Sequence, residues 1–263
     1  MAVKRETRNI FLYAAPFATW IGLQMVLPVT AWAYAVRAAA TALVGLWCLW
    51  KGRSDKSVAS PNGPRQARPP RLGEAALSPL HGPGEAALSP LHGPGEAALS
   101  PLRFFTGLLA GILVTVLWIV PEISPFYRMW FCWPIGSLPA ASTDPSPYDP
   151  AVCGWTLTVA KLVGSAFVIA PVEEVFFRSF LYRWLQKRDF LSIPLSRFDL
   201  SACLWMVFLF TLEHDRPLAA ALAGAVYGFA AIRWGLTSAI IAHVTTNLLL
   251  ALHVIFSGAW AFW

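Results

Sequence analysis

Charge is scarce in this chain. Asp, Glu, Lys and Arg together make up 13% of its 263 residues, where an ordinary soluble domain carries about 25%. The few charges gather in short segments and leave apolar runs that approach the roughly 20 residues needed to cross a bilayer. This excludes an ordinary soluble domain. Cysteine is as sparse, with four residues and no metal-ligand spacing among them. Cys48 and Cys203 fall in apolar runs as packing residues. Cys132 and Cys153 bracket one long loop, which leaves a disulfide between them open. Several catalytic signatures are missing too. Without His-Glu-x-x-His the chain is no membrane zincin of that type. Without Gly-x-Ser-x-Gly it has no nucleophile elbow. Gly-x-Gly-Asp is absent, and four cysteines without a His-rich context argue against a thiol nucleophile.

What is present is apolar. Hydrophobic residues are 57% of the chain, with 13 Trp and 17 Phe. The pattern predicts an all-α polytopic transmembrane bundle of about seven spans: 10–28, 31–50, 104–121, 154–188, 199–214, 218–234 and 236–256. The fourth is too long for one upright span, so it is expected to tilt, to kink near Pro171 or to project into the cytoplasm. The first run is long and a second follows after Pro28, so a retained span is expected rather than a cleaved signal peptide. Three regions follow from this: a hairpin at 1–50, a loop at 51–103 and a bundle at 104–263.

Basic residues set the expected orientation. Lys4, Arg5, Arg8, Lys51, Arg53, Lys56, Arg65, Arg68, Arg71, Arg103, Lys187, Arg188, Arg197 and Arg233 fall on one side. The opposite loops hold Arg128 and Arg216. By the positive-inside rule the N-terminus is cytoplasmic and the chain sits in the cell membrane, the inner one where there are two. The net charge of +6 then needs no nucleic-acid partner; the partner it implies is the bilayer. Within the long loop, Gly73–Pro83 recurs identically at 84–94, and a third copy starts at Gly95. Each full copy holds two Pro and two Gly, which prevents a continuous helix, so a disordered insert is expected. His81 and His92 read as solvated loop residues in preference to weak metal ligands.

Against this apolar background, five polar groups in three spans stand out: Glu173, Glu174, His214, His243 and Asn247. Ionisable groups inside a hydrophobic span are costly and functional by default. Glu174 and Arg178 are four apart, with the acid N-terminal to the base, the favourable orientation for a helical ion pair. Glu173 is rotated by about 100° from Glu174 on a helix, and its i+3 and i+4 neighbours are Phe176 and Phe177. It is the carboxylate without a local cation, and a carboxylate in an apolar site can act as a general base near neutral pH. Counted along the helices from the basic side, Glu173 and His214 reach similar depth, where they could share a water molecule; Phe210, one turn earlier, could wall the site. His243 and Asn247 share a helical face and could donate to an oxyanion. Each group also has a plainer reading. The glutamates could be interfacial and solvated, His214 part of a polar turn, and His243 and Asn247 glue between helices. His253 is taken as structural. Glu173, His214 and His243 could also hold a zinc ion with an open position.

Glu173-Glu174-x-x-x-Arg178, Phe210-x-x-x-His214 and His243-x-x-x-Asn247 resemble, in order and spacing, the three motifs of the CAAX-protease and bacteriocin-processing family (CPBP, or Abi). The resemblance covers a core at 154–256. It implies an all-helical intramembrane endopeptidase in which Glu173 and His214 activate water and His243 and Asn247 form the oxyanion hole. It also implies a glutamate-type mechanism that requires no cofactor, in a family long called metalloproteases. Arg178–Leu185, Asp189-Phe190 and Ser257–Trp263 further resemble the bacterial CAAX prenyl protease-related subgroup found with exosortase/PEP-CTERM sorting systems. The expected partner is a membrane-associated or lipid-modified polypeptide. Two rivals from other classes are a non-catalytic membrane scaffold or immunity protein and a proton-coupled transporter.

Overall fold

The computed structural model describes residues 2–58, 100–123 and 146–263. Among these, every regular element is helical. Helix α1 (Ala2–Val26) turns at Pro28 into α2 (Ala31–Val58), and the Thr30 hydroxyl accepts the Ala33 N–H at the start of α2. Helix α3 (Pro101–Ile123) crosses next. A single turn, α4 (Pro150–Cys153), is capped by the Asp149 carboxylate and followed by Gly154 at φ 79°. Helix α5 then runs unbroken from Trp155 to Gln186. Helix α6 (Leu200–Thr211) is capped by Asp199, which accepts the Ala202 N–H at 2.8 Å. Helix α7 (Pro217–Trp234) starts with proline at its first position, where a missing N–H costs nothing. Gly235, at φ 95°, makes the tight turn into α8 (Leu236–Ser257).

Six of these helices are long and apolar enough to cross a membrane, and the apolar α6 is the shorter seventh. The protein is therefore a multi-pass, all-α helical bundle. Its outer surface is apolar: Leu43, Trp47, Leu109, Phe208 and Phe229 are all exposed, as lipid-facing residues are.

Two span expectations need refining. The fifth was read through His214, but α6 stops at Thr211, whose hydroxyl turns back onto the Val207 carbonyl. Proline at 217 restarts the chain as α7, so His214 sits in a turn between helices. In the fourth, a widened π-helical stretch, Gly164–Ile169, precedes Pro171, and a second, Val175–Leu181, follows it. The first spans the turn in which the ring of Pro171 would clash and its N–H is missing. The repeat at 73–94 and Cys132 lie outside the described residues; Cys153 is free.

Helices α3 and α8 approach each other closely, and glycine makes this possible. A Cβ on Gly111 would stand 2.5 Å from both the Ala242 carbonyl oxygen and Thr245 Cβ, and one on Gly107 would stand 2.7 Å from the Ser238 carbonyl oxygen. Gly107 and Gly111 form the Gly-x-x-x-Gly spacing by which membrane helices bring their backbones together. Thr246 uses that proximity to donate to the Gly111 carbonyl at 3.0 Å. Replacing Gly111 with Ala is expected to destabilise the fold by about 1–3 kcal/mol through overpacking. Gly45→Ala, where the added methyl meets nothing within 4 Å, should leave it unharmed. Thermal unfolding in detergent compares the two, and equal midpoints would refute the close-approach role.

Candidate active site

Glu173 and Glu174 fall in the α-helical segment between the two π stretches, both buried. Glu174 is fully enclosed, and its Oε1 has two partners. It stands 3.0 Å from the Arg178 guanidinium and 2.8 Å from His243 Nδ1. Since a carboxylate oxygen accepts, His243 Nδ1 carries the hydrogen. Arg178 also donates to the Gly224 carbonyl on α7 at 3.3 Å. Its guanidinium carbon lies 4.4 Å from the centre of the Phe210 ring and 5.5 Å from that of Tyr227. The expected Glu174–Arg178 pair thus forms, and it reaches three further helices.

Glu173 is differently placed. Its Oε2 lies 3.8 Å from His243 Nε2, too far for a direct hydrogen bond and suited to a bridging water. It lines a cavity of about 200 Å³ together with His214, His243, Asn247, Phe210 and Lys161. His214 Nδ1 faces the Phe210 carbonyl at 2.8 Å. A carbonyl only accepts, so Nδ1–H is fixed and Nε2 is left as the acceptor nitrogen. The Phe210 ring neighbours both imidazoles, at 4.5 Å from His214 and 6.0 Å from His243. Tyr227 stacks on His243 at 4.7 Å and holds the ring flat between α7 and α8. Asn247 Nδ2 donates to the Ser165 carbonyl at 3.0 Å. That leaves its second N–H uncommitted.

All four residues expected to carry chemistry, Glu173, His214, His243 and Asn247, therefore line one cavity. The alternative zinc set fares differently. Among the described residues no three His, Cys, Asp or Glu side chains are grouped to hold one metal ion.

Sequence reading missed Lys161, Tyr227 and the Ser165 carbonyl. Lys161 Nζ lies 4.1 Å from the Tyr34 ring centre and 4.7 Å from that of Tyr148, on the cavity wall. As a lysine inside an apolar span it carried its own signal.

Removing either member of the buried pair strands the other charge. Glu174→Ala and Arg178→Ala are each expected to cost about 3–5 kcal/mol, read as a lower unfolding midpoint in detergent. Wild-type midpoints for both would show that the pair holds nothing together.

Residues 155–249 match the family model described as Rce1-like, Type II CAAX prenyl endopeptidase Rce1-like. The match takes in the helices that carry the cavity residues Lys161, Glu173, His243 and Asn247, and it agrees with the resemblance to the CAAX protease family. It supports an intramembrane endopeptidase, a multi-pass membrane protein and a membrane-associated polypeptide as its substrate. No curated protein and no solved structure matches the chain, and the match does not extend to an exosortase association.

Proposed function

We propose, from the CAAX-protease segment and the cavity it builds, that this chain hydrolyses a peptide bond of a membrane-associated or lipid-modified polypeptide by water activated at Glu173 and His214. The observation that carries this reading is the division of labour between adjacent glutamates. Glu174 is fully enclosed against Arg178 and His243, so only Glu173 of the pair lines the cavity.

The proton steps balance within the cavity. A water held by Glu173, with His214 Nε2 as its second acceptor, loses a proton to the carboxylate as its oxygen attacks the scissile carbonyl carbon. The oxyanion takes a hydrogen bond from the free N–H of Asn247 and, once His243 has taken up a proton from water in the cavity, a second from its Nε2–H, with Glu174 stabilising the imidazolium. Glu173 then passes its proton to the departing amine. Every step uses side chains of this chain alone, and no cofactor is required.

The site also has a side. Its wall includes Asp215 and Arg216 from the α6–α7 turn and Phe262 and Trp263 after α8. These lie at the end of the bundle opposite Lys51, Arg103, Lys187 and Arg233, which cluster where α2, α5 and α7 end and α3 begins. With the basic end cytoplasmic, the N-terminus is cytoplasmic too, and the substrate reaches Glu173 from the far side of the cell membrane.

Two experiments test these statements. Glu173→Gln is expected to retain the wild-type unfolding midpoint and to lose about 10²–10⁴ in cleavage rate, measured as peptide release from candidate membrane substrates. Wild-type cleavage by the folded variant would refute the mechanism. Peptide release by the wild type separates the protease from the non-catalytic scaffold and the proton-coupled transporter, neither of which releases peptide. For sidedness, single cysteines at Asp215 and at Lys187 are introduced with the native cysteines replaced by serine. In sealed vesicles of known orientation, an impermeant maleimide should reach residue 215 from the non-cytoplasmic side and residue 187 from the cytoplasmic side. The reverse pattern would overturn the orientation.

A further inference from the structure

Lys161 is half-buried on the wall of the cavity that holds Glu173, and among the described residues it forms no ion pair. The two acids that share the cavity face other groups. Asp215 lies 3.4 Å from Arg216, and Glu173 lies 3.8 Å from His243. Aromatic rings hold the ammonium instead, with Nζ 4.1 Å from the centre of the Tyr34 ring and 4.7 Å from that of Tyr148. Arg37 lies against the same Tyr34 ring, its guanidinium carbon 5.7 Å from the centre. That arginine is buried and bonds to Tyr148, so a second cation, also in no ion pair among the described residues, backs the first.

Ring faces attract a cation without cancelling its charge. A cation inside a membrane protein is ordinarily paired with an acid or set on a substrate path. A snorkelling lysine would carry its ammonium outward to water. Lys161, in the second turn of α5, carries it inward against α2 and Tyr148. The cavity thus has a positive end at Lys161 and its base at Glu173, and Trp118, Phe210, Phe262 and Trp263 make the walls between them apolar.

We infer that Lys161 sets substrate specificity by binding a carboxylate of the polypeptide that enters this cavity. The inference rests on the peptidase reading of the site. A carboxylate is the anion that a polypeptide itself carries, and against an ammonium it accepts a short, charge-assisted hydrogen bond. Lys161 and Glu173 are 12 residues apart on α5, which is about 18 Å of helical rise. At about 3.3–3.6 Å per extended residue, the carboxylate lies within about five residues of the bond cut at Glu173. An acidic side chain and the C-terminal carboxylate of the substrate offer the same chemistry, and the aromatic walls select a segment that is otherwise apolar.

The test measures binding directly, by isothermal titration of the whole protein in a neutral detergent. Four probes form two matched pairs: acetyl-Phe-Leu with a free carboxylate against its amide, and acetyl-Phe-Asp-amide against acetyl-Phe-Asn-amide. The wild type is expected to prefer the acid in at least one pair by about 10–100-fold, as a hydrogen bond to a charged group provides. Preference in the first pair identifies a chain terminus, and in the second an acidic side chain. Lys161→Met and Lys161→Gln should each unfold at or above the wild-type midpoint and lose the preference, and Lys161→Arg should keep most of it. Lys187→Gln, which removes an exposed charge at the opposite end of the bundle, should keep all of it. Equal binding of acid and neutral probes by the wild type, binding of none of the four, or a preference that survives in a folded neutral variant of Lys161 would overturn the inference. The peptidase reading fails separately, through cleavage that does not depend on Glu173.

Discussion

One carboxylate oxygen organises the centre of this bundle. Glu174 Oε1 faces Arg178 on its own helix and accepts from His243 on α8, while Arg178 carries the connection to the Gly224 carbonyl on α7. Each of these groups would be costly alone in an apolar interior. Together they turn that cost into a condition on assembly: α5, α7 and α8 must dock in this register or bury uncompensated charge. Gly224 contributes by having no side chain, since a Cβ there would lie 3.1 Å from the Phe210 ring, the ring against which Arg178 packs. The network also settles which glutamate is left over. Glu173 lines the cavity because its neighbour has been consumed.

The two π-helical stretches of α5 make this arrangement reachable. In the first, Ala170 N–H reaches back five residues to the Ser165 carbonyl, and the same oxygen accepts from Asn247 on α8. A widened turn thus supplies the acceptor that positions the proposed oxyanion donor. The second begins immediately after Glu174 and includes Arg178. Such bulges are often found at functional sites, and here they flank Pro171 and the glutamate pair on both sides.

How much of this was legible in the sequence depends on the kind of contact. Helices followed from apolar runs, and the Glu174–Arg178 pair followed from i,i+4 spacing, which survives modest changes in helical pitch. Glu173, His214, His243 and Asn247 were found because polar groups inside an apolar span are rare, a signal that Lys161 carried too and that was missed there. What spacing could not show was azimuth along a helix that is not uniformly α-helical, nor contacts between residues far apart in the chain. The 69-residue separation of Glu174 and His243 is such a case. His214 was expected to end a helix and lies instead in a turn, a boundary that apolar pattern alone does not fix. Gly107 and Gly111 are visible in the sequence, but their partners at Ser238, Ala242 and Thr245 exist only once α3 and α8 are packed.

The shortness of α6 explains how water could reach a carboxylate at this depth. Twelve residues rise about 18 Å, well below the roughly 30 Å of hydrocarbon that a full span must cross. The chain after Thr211 therefore covers the rest of the way to the start of α7 as an irregular turn instead of as helix. Irregular backbone at membrane depth is tolerated only where it is buried in protein or lines an aqueous cavity. The turn that follows α6 carries His214, Asp215 and Arg216, and all three line the cavity that holds Glu173. A helix that stops early thus opens one end of the bundle to water, and the same turn places an imidazole at the opening. A full-length seventh helix would close that end and carry His214 along its own axis, leaving Glu173 without a route to water or substrate.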